Sequence, residues 1–424
     1  MKKKNITALS FLFLLGSAFA QEMAKKSTIE RIEKLEQESE TQSEEIEQFQ
    51  KFKVSAYIQT QFQYGEKDAS LKVGSSNENK DKPFNRIGIR RGRIKFIYEE
   101  KIISGVFQLD ITEKGIGVKD AYLNIKAPWM ETCAFRAGVF DRPFGYEISH
   151  SSSRRESPER SMVFQTLFPD ERDLGGMLVL QAAKTSPWNF LKLEAGLFAG
   201  NGIKQETDSR KDFIGHVSAN KYIGSNAKFG LGASYYNGGV YQGTENVYKI
   251  KSKNFELDNS ASNKGKFSKR EYIGFDGQFS LISILGITQV RGEYLFGTQP
   301  GQRGGSRSPN ADMLPASDTY IRNFSGGYAM LVQDFGRLPV SAVLKYDWYD
   351  PNVEIQSNEI GLNNSASGDI AYNTLGFGLV WYANNNIRLQ AHYDIIENEK
   401  SENLTDYKED LKDNVFTLRL QYKF

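Results

Sequence analysis

Val415-Phe416-Thr417-Leu418-Arg419-Leu420-Gln421-Tyr422-Lys423-Phe424 closes the chain and decides how the rest is read. Side chains alternate across a strand with period two, so Phe416, Leu418, Leu420, Tyr422 and Phe424 make one oily face. Thr417, Arg419, Gln421 and Lys423 make the opposite, polar face. A segment of ten residues is long enough to cross a bilayer as a tilted strand. On that reading Leu418 and Tyr422 meet lipid, while Arg419 and Lys423 look into an enclosed lumen near its periplasmic mouth. A soluble protein could also end on an amphipathic strand, so the remaining chain has to decide.

The opposite end agrees. Lys2, Lys3 and Lys4 precede an apolar run from Ile6 to Leu15, and Ala18-Phe19-Ala20 places small residues at the cleavage positions. The pattern predicts a secretory signal peptide over residues 1–20, with an apolar run too short to span a membrane. Residues 21–51 differ in character. The stretch from Thr28 to Gln50 is rich in Glu and Gln and has no Gly or Pro. Ile32, Leu35, Ser39, Gln42, Ile46 and Phe49 recur at three- and four-residue spacing. That seam predicts a short periplasmic helix or coiled coil that helps set an oligomeric state, with a solvated linker as the alternative.

Residues 52–424 read as one all-β domain. Sixteen strand signals begin near Val54, Asn85, Ile102, Lys119, Cys133, Gly175, Trp188, Asp212, Phe229, Glu271, Ile287, Phe324, Val340, Asn373, Ile387 and Val415. Short turns such as Lys184–Pro187 and Tyr222–Ala227 alternate with long polar segments such as Gly65–Pro83, Asp141–Asp173 and Asn237–Arg270. The connection Thr112–Val118 reads as the shortest of the long class. Short periplasmic turns and long extracellular loops are the habit of outer-membrane barrels, and an even strand number returns both termini to one side. A soluble sandwich has no reason to keep one rim short. Trp129, Trp188, Trp348 and Trp381 all fall near strand ends, as an interfacial aromatic girdle requires. The expected architecture is a 16-stranded antiparallel transmembrane β-barrel.

Composition fits. No stretch approaches the roughly 18 consecutive apolar residues of a spanning helix. Charged residues reach 25%, because lumen-facing positions dilute a barrel's apolar signal. Without the three signal lysines the chain carries one cation fewer than it has carboxylates, so nothing points to nucleic acid. Cys133 is the single cysteine and cannot form an internal disulfide. His150, His216 and His392 are far apart and lack metal-ligand spacing. His150 precedes Ser151, Ser152 and Ser153, but no nucleophile motif accompanies it, so the chain does not read as an enzyme. No cofactor is called for.

Parity places the chemistry. With Ile94, Phe96 and Tyr98 facing lipid, Arg91, Arg93 and Lys95 share the lumen face. Such a row needs solvent, counter-ions or acidic partners; the bland alternative is that carboxylates pair with it and only stabilise the wall. Asp110, Arg136, Lys345 and Asp347 also point inward, as do Lys192, Glu194, Asp276, Arg291, Glu293, Arg388 and Asp394. The segment after the fifth strand, DRPFGYEISHSSSRRESPERSMVFQTLFPDERD, holds Arg142, Arg154, Arg155 and Arg160 together with Phe144, Tyr146, Phe164 and Phe168. So many aromatics favour a loop folded into the lumen, where it would narrow the path and present guanidiniums; a surface lid is the alternative. Rings of Arg and Lys favour anions, and the planar guanidinium bonds two oxyanion oxygens at once. Loop arginines with the Arg91, Arg93 and Lys95 face would attract and partly dehydrate anions, while Asp110 and Asp347 keep binding weak enough for release.

RRGRIKF (90–96), FQLDITEKGIGVKDAYLNI (107–125), FRAGVFDRPFGYEISHSS (135–152), ERSMVF (159–164), RDLG (172–175) and LKYDWYDPN (344–352) occur in this order. As a set they resemble the outer-membrane porin O/P family, the phosphate-selective porins, over most of residues 52–424. The resemblance implies a trimeric, sixteen-stranded porin passing phosphate, polyphosphate or other small anions. It matches Arg91, Arg93, Asp110 and Arg136 to the family's arginine-rich strand and the acidic and basic strands after it. It also implies that Phe424 is read by the outer-membrane assembly machinery. Two other functions remain open: a general or sugar-accepting porin without an anion site, and a barrel used as adhesin or structural anchor.

Overall fold

Alternation of apolar and polar side chains leaves every strand one face to bury and one to hydrate, and closing the sheet satisfies both while abolishing its edges. A computed structural model describes residues 48–424, together with Lys25, Arg31, Lys34, Gln37 and Glu38. The expected signal peptide, and all but the end of the expected helical segment, lie outside the described residues.

The strands are β1 (Phe52–Gly65), β2 (Phe84–Glu100), β3 (Ile103–Thr112), β4 (Gly115–Ala127), β5 (Met130–Asp141), β6 (Arg172–Gln181), β7 (Leu191–Phe198), β8 (Asp212–Ile223) and β9 (Ala227–Tyr241). There follow β10 (Val247–Lys251), β11 (Asn254–Asp258), β12 (Phe267–Ser283), β13 (Gly286–Gly301), β14 (Thr319–Asp334), β15 (Val340–Asp350), β16 (Tyr372–Tyr382), β17 (Ile387–Asn398) and β18 (Val415–Lys423). β10 and β11 form a hairpin within the long segment that follows β9, and β9 pairs directly with β12. The other sixteen strands close an antiparallel barrel, with β1 pairing both β2 and β18. Each of the sixteen predicted strands corresponds to one of these. The hairpin was not legible in the sequence, because its strands are only five residues long and their apolar residues are buried against distant segments: Phe255 packs with Tyr320 at the start of β14, beside which β10 runs parallel, and with Ile355, Ile360 and Ile370 of a loop.

Outward faces carry an exposed apolar band that includes Leu178, Leu231, Phe275, Val290, Leu344 and Phe377. Water does not tolerate a band of that extent, whereas lipid covers it. One rim has short turns and the other long loops, with one exception. The expected Thr112–Val118 loop is a two-residue turn at Glu113-Lys114, with Gly115 at φ +123° completing the reversal. A second irregularity lies on the same hairpin: Gln108 is opposite Asp120 and Leu109 is opposite Val118, which leaves Lys119 as an extra residue. This bulge lets the neighbours Lys119 and Asp120 both be buried on the inner side.

Candidate functional site

Residues 142–171, between β5 and β6, run inside the barrel. Their oily side chains hold them there. Phe144, Phe164 and Phe168 are buried against Tyr236, Tyr272, Leu295 and Tyr328 of the wall. The short helix α1 (Met162–Leu167) buries Val163, Phe164 and Leu167 in the same cluster. Two wall glycines make room: a Cβ at Gly274 would lie 2.7 Å from the Phe144 ring, and one at Gly326 would lie 2.9 Å from Val163. Asp170 and Glu171 close the loop with φ of 63° and 65°, which Lys119 Nζ helps to hold by donating to the Asp170 carbonyl and the Glu171 carboxylate at 2.7 Å each.

The loop's polar side meets β1, β2, β17 and β18. Gln59 Nε2 and Arg388 Nη2 donate to the Ser152 carbonyl at 3.0 and 3.2 Å, and Arg93 Nη1 donates to Ser152 Oγ at 2.9 Å. Gln390 Nε2 donates to the Arg155 and Glu156 carbonyls. On the far wall Arg291 forms a two-pronged bridge to Glu156 at 2.8 Å per arm, and Lys345 reaches Glu147 at 3.2 Å. The loop therefore divides the lumen. One cavity of about 340 Å³ lies toward the short-turn rim and another of about 490 Å³ toward the long-loop rim; Arg160 lines both.

The cavities differ in charge. The first is lined by Arg93, Lys95, Arg136, Arg154, Arg160, Arg172 and Lys423 against only Asp120 and Asp141. The second is lined by Lys72, Arg160, Arg307 and Lys345 against Asp68, Glu159, Asp347, Asp394 and Asp413.

The expected site residues fall into three groups. Arg91, Arg93 and Lys345 are buried in ion pairs, with Glu159 at 3.1 Å, Asp110 at 3.2 Å, and Glu147 with Asp347. Asp110 and Asp347 act there as local counter-charges. Lys95, Arg136 and Arg154 line the positive cavity and form no ion pair among the described residues; Arg136 lies over the rings of Tyr122 and Phe140, 4.7 and 5.5 Å from their centroids. Arg160 pairs with Glu171, and Arg155 is buried with no carboxylate partner among the described residues, its Nε and Nη1 unbonded among them. Arg142 does not line either cavity. It is sealed against Asp173 at 3.1 Å and over the Phe168 ring, because aromatic packing turns that end of the loop toward the wall. Arg419 also differs from expectation: it stands opposite Gln61, four residues above Lys423, at mid-height rather than at the mouth.

Parity reasoning missed the carboxylate at the centre. Glu159, on the loop, accepts from Arg90 Nε and Nη2 at 2.8 Å each, from Arg91 Nη2 at 3.1 Å and from Arg419 Nη2 at 2.6 Å. Burial pushes its carboxyl up, but these three guanidiniums hold it well below the ordinary carboxylate range. Gln59 and Gln61 support the cluster by accepting from Arg91 at 3.1 Å and Arg419 Nε at 2.7 Å. The alternation of Gln59, Gln61 and Gln63 was a visible signal for this polar wall; nothing set Glu159 apart from the loop's other three glutamates, Glu147, Glu156 and Glu171.

No family profile and no curated sequence matches this chain. Solved structures do. The anion-selective porin from Comamonas acidovorans is 12% identical with a TM-score of 0.52, over 88% of this chain and 99% of that one. Salmonella typhi OmpF, in complex with daunomycin, is 11% identical with a TM-score of 0.53, over 88% and 97%. Pseudomonas putida OprB is 9% identical with a TM-score of 0.51, over 91% and 96%. At such identities the likeness is one of fold, and the fold is that of the porins.

Proposed function

We propose that the chain is an outer-membrane porin for passive diffusion of small hydrophilic solutes, biased toward anions such as phosphate or polyphosphate. The observation that carries the reading is the cavity lined by seven Lys and Arg side chains against two carboxylates. Low-dielectric walls focus the field of such an excess and raise the local anion concentration. Lys95, Arg136 and Arg154 are its least compensated members and are assigned the attraction; Arg160, which lines both cavities, is paired with Glu171. The apolar band, the rim asymmetry and the porin fold support the outer membrane, with the long loops outside and the termini in the periplasm. Outer-membrane lipid, two further copies of the chain in a homotrimer, and the assembly machinery acting on the closing strand are its proposed partners.

Reversal potential in a KCl gradient across a planar bilayer tests the bias, and added phosphate should block chloride current. Cation selectivity would sink the anion reading. The extensive pairing of Arg91, Arg93 and Lys345 favours one rival, a general or sugar-accepting porin whose paired charges make only a transverse field. That rival predicts weak selectivity and no block by phosphate. Correctly folded protein without conductance would favour the anchor or adhesin.

A further inference from the structure

We infer that Glu159 is a selectivity-determining residue: its single carboxylate masks three guanidiniums where the loop crosses the lumen, and so sets how strongly the pore prefers anions. This rests on the reading of the chain as an ion-conducting porin. Three observations carry it. Arg90 and Arg91 of β2 and Arg419 of β18 all reach the same carboxylate, within 3.1 Å. These arginines come from strands on either side of β1, so the cluster spans one whole sector of the wall. Glu159 also lines the long-loop cavity, and its neighbour Arg160 lines both cavities, so the cluster stands at their junction.

Charge at a junction acts on every passing ion, because each must lose part of its hydration there and cannot be screened by bulk salt. The three arginines with Glu159 leave two positive charges; with a neutral residue at 159 they leave three. A lone carboxylate shared by three guanidiniums is also a strong mechanical tie, since it is charge-assisted on every arm. The two roles, selectivity and tether, differ in what they predict.

The test uses the full-length protein in planar bilayers. Glu159→Gln should move the reversal potential toward the chloride limit. Arg419→Gln, which removes one cation instead, should move it toward the potassium limit. The pair Glu159→Gln with Arg419→Gln restores the original charge and should return the potential close to that of the unaltered protein. Glu159→Asp keeps the charge and should keep the selectivity. A Glu159→Gln potential that stays put or moves toward potassium overturns the inference. So does a double variant that fails to return, which is what a mere tether gives, together with higher conductance in every variant that breaks the tie. If Glu159→Gln does not fold alone, the double variant is compared with Arg419→Gln: loss of the carboxylate in that background should move the potential toward the chloride limit, and no movement overturns the inference. The sign of the unaltered protein's own potential judges the parent reading separately, since a cation-selective pore would still shift toward chloride in Glu159→Gln.

Discussion

At the scale of single residues, pairing rather than position separates the cations. Arg93 and Lys95 are two residues apart on the same face of β2, yet Arg93 bonds Asp110 and Ser152 while Lys95 faces the cavity without an ion pair among the described residues. Neutralising Lys95 and Arg136 together (Lys95→Gln with Arg136→Gln) should therefore lower chloride preference markedly. Arg142→Gln should leave selectivity nearly unchanged. Its effect should appear as lost stability of roughly 3–5 kcal/mol, because Asp173 is left buried and unpaired. Reversal potentials and denaturant titration of the two variants read this difference. Parity assigns Arg91, Arg93, Lys95, Arg136, Lys345 and Asp347 to the inner side, since a strand has only two faces. It did not say which would be neutralised: Arg93 and Lys345 find Asp110 and Asp347 on the wall itself, while Arg91 and Lys345 also meet loop carboxylates 68 and 198 residues away in the sequence.

At the scale of elements, the loop 142–171 stays inside because aromatic burial and polar bridges act on opposite sides of it. Phe168 is fully buried, against Phe144, Tyr236 and Tyr272. Phe168→Ala should cost the seating of the loop about 3–5 kcal/mol, and single-channel records should show larger, noisier openings. Records indistinguishable from those of the unaltered protein would mean the polar bridges suffice. The loops 66–83 and 399–414 are zipped by Asp68 N–H to the Lys412 carbonyl at 2.9 Å and Glu66 N–H to the Asn414 carbonyl at 3.0 Å. Beside this zipper Asp413 is pushed up to about 7 by burial and by Asp410, Glu66 and Asp68. A carboxyl raised above its unfolded value of about 4 favours the packed loop most when protonated. Its contribution is thus fully present below pH of about 4 and is lost as pH climbs through about 7. Amide protection in residues 399–414, corrected for the intrinsic rise of exchange with pH, should fall over that window, and Asp413→Asn should remove the fall. The inward turn of the first loop was readable from its aromatic content. The zipper was not, because its bonds are made by backbone groups that every sequence has.

At the scale of the whole molecule, a closed barrel with an apolar outer band is proposed to assemble as a trimer. The trimer reading predicts an SDS-resistant oligomer that is weakened, but not abolished, by deleting residues 28–50; an oligomer untouched by the deletion would free that segment of the role. The sequence by itself determined the closed sheet, its strand number and which face of each strand meets lipid, because period-two alternation and turn residues are local properties that survive in the linear chain. The closing strand pairs with β1 as its pattern required, Gln61 to Arg419 and Tyr57 to Lys423. Only the tertiary structure decided where the lumen is positive, which arginines are masked and that Glu159 masks them. Those are properties of distance between segments far apart in sequence, and electrostatic energy depends on distance and solvent access rather than on residue type alone.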